Sequence, residues 1–257
     1  MKSIKQVLDN QGDLEPVATG LEPRYRKEDT IKAVVFDIYG TLLISASGDV
    51  DEASMLTSSI KKALHAAEAV PRVNGNNAEE VYWKILQMHT SCIKEEQERL
   101  RNSDRPYPEV DILEVCRKTL AKAREDGLIL YNNGIDCKKV VFMFELLSNP
   151  VAAMPGLGKT IYSLHEQGVP LGIVSNAQFY TPSILNYFLN GTFKTNSDVP
   201  PFDPEISVFS YRELRGKPDP RLFNLLVPVL DKKYGLQPQQ VLYVGNDMLK
   251  DVYAAAR

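Results

Sequence analysis

The sequence of 257 residues has little of what marks several functional classes. It contains three cysteines, three histidines and one tryptophan, and its formal net charge is only −3. A disulfide-stapled scaffold or a cluster of zinc fingers needs more cysteine and histidine, and a general nucleic-acid surface needs a strong excess of basic residues. We therefore expect a small-molecule substrate and no nucleic-acid partner, and the oligomeric state is left open.

Long apolar stretches are also missing. No run approaches the ~20 apolar residues of a membrane span, and the N-terminus has no apolar signal region. Cys92, Cys116 and Cys137 show no CxxC spacing, so we expect buried thiols without a metal or nucleophilic role, as in a reducing compartment. The sequence accordingly predicts a cytoplasmic protein that does not bind membranes.

The pattern along the chain changes three times. Residues 1–30 are polar with mixed charge and predict a mobile arm or a short amphipathic prelude. Residues 31–50 open with an apolar strand that ends at an acid. Residues 51–150 repeat apolar positions every three to four residues and contain no convincing strand, and residues 151–257 alternate strands with helices.

This order predicts an α/β fold, a doubly wound parallel sheet with a mainly helical cap. The core would comprise residues 31–50 and 151–257, and the cap residues 51–150, after an extension of residues 1–30. The sequence stops at Arg257 inside a predicted helix, after which such a sheet normally continues, so we expect a truncated C-terminus.

Polar groups follow several predicted core strands. Because ligands of open α/β sheets bind at the carboxyl ends of the strands, we expect these groups to converge. They are Asp37 with Thr41, Ser175 with Asn176, Lys217, and residues 245–251.

Their chemistry suits covalent hydrolysis. A carboxylate such as Asp37 can attack an electrophilic centre and split hydrolysis into ester formation and ester cleavage. Lys217 would place positive charge beside it. Asn246, Asp247 and Asp251 offer the hard oxygen ligands that Mg²⁺ prefers.

Four segments, VVFDIYGTLL, IVSNAQ, GKPDPRLF and YVGNDMLKD, resemble the four ordered motifs of the haloacid dehalogenase superfamily. The resemblance implies a HAD-like fold and an ester formed on Asp37. It also implies that Thr41 and Ser175 hydrogen-bond the substrate's oxygens and that Asn176 orients its loop. The implied Mg²⁺ ligands are Asp37, the backbone carbonyl of Tyr39, and members of the set Asn246, Asp247 and Asp251.

Two departures from the motifs leave alternatives open. The fourth segment begins Gly-Asn where the family usually has Gly-Asp, so either Asn246 or Asp247 would face the metal, with Asp251 acting directly or behind them. Tyr39 stands where the superfamily's phosphatases typically carry a second aspartate that protonates the leaving group. The DxYGTL form is that of 2-haloacid dehalogenases. Their fourth motif, however, is less acidic than the one in this chain. They also use a cap arginine soon after the first motif, and the segment ISASGDVDEAS at that place contains no arginine.

The sequence thus predicts an Mg²⁺-dependent phosphatase of a small phosphate monoester, with substrate choice in the cap. The alternatives are a 2-haloacid dehalogenase and a catalytically weakened, ligand-binding relative.

Overall fold

The structure is a computed structural model. It describes residues 2–12, 14–46, 52–72, 77–131, 134–194 and 198–257. The predicted boundary between residues 50 and 51 lies outside these ranges.

The described residues form eight short strands, together with seven helices that are each at least eight residues long. The strands are β1 (Ala33–Phe36), β2 (Leu43–Ser45), β3 (Val70–Pro71), β4 (Ile129–Leu130), β5 (Val151–Ala153), β6 (Leu171–Ser175), β7 (Ser207–Phe209) and β8 (Val241–Val244). The helices are α1 (Lys2–Asp9), α2 (Glu52–Ala66), α3 (Ala78–Leu100), α4 (Ile112–Glu125), α5 (Cys137–Ser148), α6 (Leu157–Glu166) and α7 (Thr181–Asn190). Throughout the described ranges, every helix is too short or too polar to cross a membrane.

Contacts divide the chain into two units. The helical unit comprises Met1–Gly12, Ala46–Asp104 and Val110–Val151. The sheet unit comprises Asp13–Ser45, Arg105–Glu109 and Ala152–Arg257. The sequence predicts a mobile arm or a short amphipathic prelude over residues 1–30, and the start of this segment contains helix α1 and belongs to the helical unit.

A four-stranded parallel sheet in the order β7-β6-β1-β8 organises the sheet unit. All four residues of β1 are buried and apolar, as expected of a central parallel strand. Side chains of the sheet and of the segments after it form one aliphatic core cluster. It comprises Ala33, Val35, Val174, Ile206, Leu222, Leu226 and Leu230. The predicted α/β class with a parallel sheet is confirmed.

Short polar side chains cap three helices of the helical unit, α3, α4 and α5. The Asn77 side chain accepts a hydrogen bond from Glu79 N, and the Asp111 side chain accepts one from Leu113 N. Asp136 caps α5 in the same way through Lys139 N. Each cap satisfies a backbone donor that the first turn leaves free, which fixes where these helices begin.

Two local predictions were wrong. The insertion contains an antiparallel pair, β3 with β4, which was missed because two-residue strands show no periodicity. Within residues 151–257, the alternating pattern predicts one helix from Arg221. The structure interrupts it: short helical turns span Arg221–Asn224 and Val227–Val229, followed by a π turn at Leu230–Tyr234. Pro228 lacks the N–H that a continuous helix would use.

Candidate active site

Asp37 directly follows β1, and its backbone N–H donates to Val244 O on β8 over 2.9 Å. The residue is only 7% exposed. The chain then turns at Gly40, whose φ is +81°. A Cβ at this position would stand 2.4 Å from the Asn246 side chain, so glycine lets the first and fourth loops approach closely.

The ammonium group of Lys217 contacts three buried polar side chains. Its Nζ lies 2.8 Å from Asp37 Oδ1, 2.5 Å from Asp251 Oδ1 and 3.0 Å from the hydroxyl of Tyr243. An ammonium group has three protons, so these three acceptors use its full donor capacity. The ammonium is therefore held in one orientation against the Asp37 carboxylate.

Asn176 positions this lysine from the end of β6. Its side-chain Oδ1 accepts from Lys217 N over 2.7 Å, and its Nδ2 donates to Lys217 O over 3.2 Å. The paired contacts fix the backbone of the loop that carries Lys217. The loop-orienting role that the resemblance implies for Asn176 has a direct physical basis here.

The fourth loop uses its two acids differently. Asp251 is 1% exposed, and its Oδ2 accepts from Asp247 N over 2.9 Å. The Asp247 carboxylate turns to the backbone and accepts from Lys250 N and Leu249 N, which caps the π turn Met248–Tyr253. These bonds, first that from Lys250, lower the pKa of Asp247. Asp247 thus holds the loop's shape, while Asn246 faces Gly40.

Two buried hydroxyls have no hydrogen-bond partner among the residues that the structure describes, Thr41 Oγ1 and Ser175 Oγ. The register pairs Phe36 of β1 with Ile173 of β6, so Asp37 and Ser175 end neighbouring strands. Leaving a buried hydroxyl without a partner costs roughly 1–3 kcal/mol. A bound molecule with oxygen atoms would recover that cost.

Tyr39 is engaged on the α7 side of its loop. Its hydroxyl shares a hydrogen bond of 3.0 Å with Thr181 Oγ1 at the first residue of α7. The position that often carries a general acid in the superfamily therefore holds a phenol tied to a neighbouring helix.

Negative charge exceeds positive charge in this buried site, because Asp37 and Asp251 share Lys217. Tyr243 adds no negative charge at neutral pH, since desolvation, followed by the charges of Asp37 and Asp251, raises its pKa. One positive charge would restore neutrality.

The residues present fit a cation site with few protein ligands. Across the described ranges, no three His, Cys, Asp or Glu side chains cluster as metal ligands. The Asp37 carboxylate, the Tyr39 carbonyl and the Asn246 amide nevertheless supply hard oxygens on adjacent loops, and Mg²⁺ commonly binds through one or two carboxylates while retaining waters.

Two contributions escaped sequence reasoning. Tyr243 lies in the apolar strand VLYVG and looks like an ordinary core residue, yet its hydroxyl contacts Lys217 and donates to Val174 O over 2.8 Å. The segment Arg105–Glu109 packs beside the Lys217 loop, where Gly216 N donates to Tyr107 O. Its polar, proline-containing sequence carries no signal for that contact.

Part of the predicted set of residues comes together around Lys217. The structure joins Asp37, Lys217, Asp251 and Asn176 through direct contacts, and the strand register sets Ser175 beside them. The described contacts of Asp247 are with its own loop.

Comparisons with known proteins identify the family. Residues 31–257 match the family model described as haloacid dehalogenase-like hydrolase. A phosphoglycolate phosphatase of Shigella dysenteriae serotype 1 is 25% identical over 232 residues, covering 89% of this chain and 79% of that protein. The phosphoglycolate phosphatase of Salmonella typhimurium is 23% identical over 239 residues, with the same coverage.

Among solved structures, a 2-haloacid dehalogenase from Pseudomonas syringae pv. Tomato superposes with a TM-score of 0.52 at 19% identity. The match covers 88% of this chain and 82% of that one. At this identity the likeness shows the shared fold.

Proposed function

The chain belongs to the haloacid dehalogenase-like hydrolases, and we propose that it hydrolyses a small phosphate monoester through an ester on Asp37. The observation that carries the proposal is the pair of unpartnered buried hydroxyls, Thr41 and Ser175, beside a carboxylate held by a buried lysine. Such donors suit the oxygens of a phosphoryl group. The phosphoglycolate phosphatases among its relatives support the same substrate class.

In the proposed first step, an Asp37 carboxylate oxygen attacks phosphorus and the bond to the alcohol oxygen breaks. Lys217 holds Oδ1 at 2.8 Å, which leaves Oδ2 as the attacking atom. Thr41 and Ser175 donate to phosphoryl oxygens, and Asn176 keeps Lys217 in place. Water then attacks the aspartyl phosphate at phosphorus, releases phosphate and regenerates Asp37.

The proposed cofactor is Mg²⁺, held by Asp37, the Tyr39 carbonyl and Asn246. When bound, it would neutralise the phosphoryl group's negative charge. Asp251 serves the site through Lys217, and Asp247 serves it by holding the loop. Asn246 is favoured over Asp247 as the ligand because Asn246 lies against Gly40.

We place substrate choice in residues 51–150 as a mainly helical cap, and the enzyme in the cytoplasm, where its three thiols would stay reduced.

Dehalogenation is the second candidate, and Tyr39 is the observation that favours it. A halide leaves without a proton, so a phenol tied to Thr181 is no handicap there. A panel of phosphomonoesters and 2-haloacids, each assayed with Mg²⁺ and with chelator, separates the two. We expect phosphate release that chelator abolishes; halide release that persists in chelator would overturn the proposal.

Tyr39 also sets the proposed enzyme's leaving-group preference. A phenol of ordinary pKa near 10 is a weak acid catalyst at neutral pH. General acid catalysis contributes about 10²- to 10⁴-fold, so aryl and acyl phosphates should react faster than alkyl phosphates by a factor in that range.

The matched variants are Tyr39→Asp and Tyr39→Phe. Tyr39→Asp should accelerate alkyl phosphates more than aryl phosphates, whereas Tyr39→Phe should leave the ratio unchanged. If the wild-type enzyme hydrolyses both classes equally fast with chemistry rate-limiting, another group supplies the proton.

A further inference from the structure

Another buried carboxylate lies in the loop that carries Lys217. Asp219 follows Lys217 by two residues in the segment GKPDPRLF, and it is 1% exposed. No step of the proposed hydrolysis uses its side chain. Burying a carboxylate costs desolvation energy unless charges and hydrogen bonds compensate it, so the place of Asp219 in this loop needs an explanation.

Two arginines surround the Asp219 carboxylate. Arg215 Nη1 donates to its Oδ2 over 2.6 Å. Arg221 donates from Nε to Oδ1 over 2.9 Å and from Nη2 to Oδ2 over 2.8 Å, which makes a bidentate pair. Burial of Asp219 opposes its ionisation, but the hydrogen bonds from Arg221 and Arg215 outweigh it and lower the pKa of Asp219. The charged carboxylate therefore joins a residue before Lys217 to a residue after it.

The backbone of the same loop is fully hydrogen-bonded. Residues 216–220 lie outside helix and strand, yet every backbone N–H from position 216 to position 221 donates a hydrogen bond. The donors are Gly216, Lys217, Asp219 and Arg221, and the two other positions are prolines, which have no N–H. Two of these bonds involve Asp219: its N–H donates to Gly216 O over 3.1 Å, and its Oδ1 accepts from Arg221 N over 3.1 Å.

We infer that Asp219 is a positioning residue for Lys217, because it closes residues 215–221 into a fixed loop that holds the ammonium against Asp37. The inference rests on the proposed role of Lys217 in hydrolysis. Asn176 fixes the backbone at Lys217 itself, and Asp219 fixes the chain on either side of it. Lys217 Nζ lies 2.8 Å from Asp37 Oδ1, and a misplacement of about 1 Å can lower a rate by roughly 10²-fold.

Asp203 provides a matched control in the same sheet unit. Both aspartates precede a proline, and the side chain of each accepts a hydrogen bond from the backbone N–H two residues later. Asp203 also pairs with a cation, Lys233. It lies in the turn before β7, and none of the bonds described for residues 215–221 involves it. Its substitution therefore shows what the loss of such an aspartate does away from the Lys217 loop.

The first test compares Asp219→Asn with Asp203→Asn on an aryl phosphate, at a temperature where circular dichroism shows both variants folded. Asp219→Asn should lower kcat by about 10- to 100-fold and leave KM within about twofold, because it disturbs Lys217 rather than the groups that touch the substrate. Asp203→Asn should change neither constant appreciably. An unchanged kcat in folded Asp219→Asn, or a change confined to KM, would overturn the inference.

The second test measures the position of Lys217 without measuring hydrolysis. Trace acetylation with acetic anhydride, followed by peptide mapping, gives the labelling rate of each lysine, with Lys159 on the exposed face of α6 as the reference. Wild-type Lys217 should label slowly, since its side chain is 2% exposed. Asp219→Asn should raise the ratio of Lys217 to Lys159 labelling several-fold, because local opening of the loop exposes the amine, and Asp203→Asn should not.

Arg221→Lys provides a milder variant for both tests. It keeps the positive charge and removes the fork that pairs with Asp219, at a side chain that is 39% exposed. It should shift kcat and Lys217 labelling in the same directions as Asp219→Asn, by smaller amounts.

The two tests separate this inference from the proposed function. Unchanged Lys217 labelling in both Asp219→Asn and Arg221→Lys would overturn the positioning role while phosphate release by the wild type stands. Raised labelling in a protein whose wild type releases no phosphate would support the positioning role and overturn the proposed hydrolysis instead.

Discussion

The sheet unit contains two clusters of the same composition, each with one lysine, two acids and one tyrosine. In both, the lysine contacts both carboxylates and lies over the tyrosine ring. The buried lysine cluster consists of Lys217, Asp37, Asp251 and Tyr243, and the exposed lysine cluster consists of Lys233, Asp203, Glu205 and Tyr234.

Burial is the main difference between them. The Lys217 side chain is 2% exposed, whereas that of Lys233 is 41% exposed. Water and salt screen exposed ion pairs, so these contribute little to stability. Burying an ion pair costs desolvation energy that its Coulomb attraction often fails to recover.

The exposed cluster costs the protein little stability and needs no further explanation. The buried cluster costs desolvation energy, so a gain in stability does not explain why it is there. It lies at the carboxyl ends of β1 and β8, and the end of β6 sets the unpartnered Ser175 hydroxyl beside it. A fixed ammonium in a water-poor site stabilises developing charge far better than one in solvent. The comparison teaches that one lysine, two acids and one tyrosine suit the proposed catalytic role only where the fold removes water from them.

The largest expected effect is on catalysis, from Asp37→Asn in the buried cluster. The amide keeps the side chain's shape but cannot form the ester, so turnover should fall by roughly 10³-fold or more. The turnover of the matched variant Asp203→Asn should stay within about twofold of the wild-type value, a change smaller than the net contribution of one hydrogen bond. Steady-state rates on an aryl phosphate provide the measurement.

Circular dichroism of both variants checks that the fold is intact. A folded Asp37→Asn enzyme that keeps more than about a thousandth of the activity would remove Asp37 from the role of nucleophile.

The next effect is on stability, from Lys217→Met against Lys233→Met. Removing Lys217 leaves two buried carboxylates without their cation, which should lower the free energy of unfolding by about 3–5 kcal/mol. Removing Lys233 leaves Glu205 open to water and Asp203 still accepting a hydrogen bond from Tyr234, so its unfolding midpoint should move much less. Urea unfolding at neutral pH measures both.

Equal destabilisation by the two variants would mean that burial does not distinguish the clusters. Added Mg²⁺ should restore part of the loss in Lys217→Met only, because a cation can replace the missing positive charge.

The sequence predicted the parts of this comparison that local pattern encodes. Asp37 and Ser175 follow buried strands, and parallel strands bring their ends together, so convergence could be anticipated from order alone. Lys217 was recognisable from the GKPDPRLF segment. That segment did not show that the Lys217 side chain is buried while that of Lys233 is exposed, because burial depends on which distant segments pack around each side chain.

Tyr243 illustrates the same limit. Strand alternation predicts on which face of β8 its side chain lies. It does not predict the hydrogen bond with Lys217, which is 26 positions earlier in the sequence. The Asp247 cap was missed for a different reason: a carboxylate that accepts from its own backbone looks, in sequence, like a carboxylate that binds metal.

A smaller effect should come from Tyr243→Phe against Tyr234→Phe. The Tyr243 hydroxyl accepts from Lys217 and donates to Val174 O, so its removal leaves buried partners unsatisfied and should cost about 1–3 kcal/mol. The Tyr234 hydroxyl donates to Asp203, whose carboxylate keeps its contact with Lys233. Its loss should therefore shift the urea midpoint much less.

Activity adds a second readout to this pair. Tyr243→Phe should lower kcat more than it raises KM, because Lys217 loses one of the acceptors that orient it. A variant with wild-type kcat would show that Asn176 and the two carboxylates suffice to hold the lysine.

The smallest expected effect is the pH dependence of the exposed cluster. Burial of Asp203 opposes its ionisation, but hydrogen bonds from Lys233 and Tyr234 outweigh it and lower the pKa of Asp203 from 3.8. The folded state then binds fewer protons than the unfolded state below that value. The stabilisation from this group is fully present above about pH 3.8 and is lost as the pH falls through the lowered pKa.

Lys233→Met removes one cause of the shift, so the stability difference between wild type and variant should stay constant down to about pH 3.8 and shrink as the pH falls below that value. Salt at pH 6 should shrink it too, because exposed charges are screened within a Debye length of ~10 Å at 0.1 M ionic strength. The difference between wild type and Lys217→Met should resist the same salt, since solvent ions do not enter the buried cluster. Urea unfolding over a grid of pH and salt measures both differences, and equal salt sensitivity of the two would contradict the distinction between the clusters.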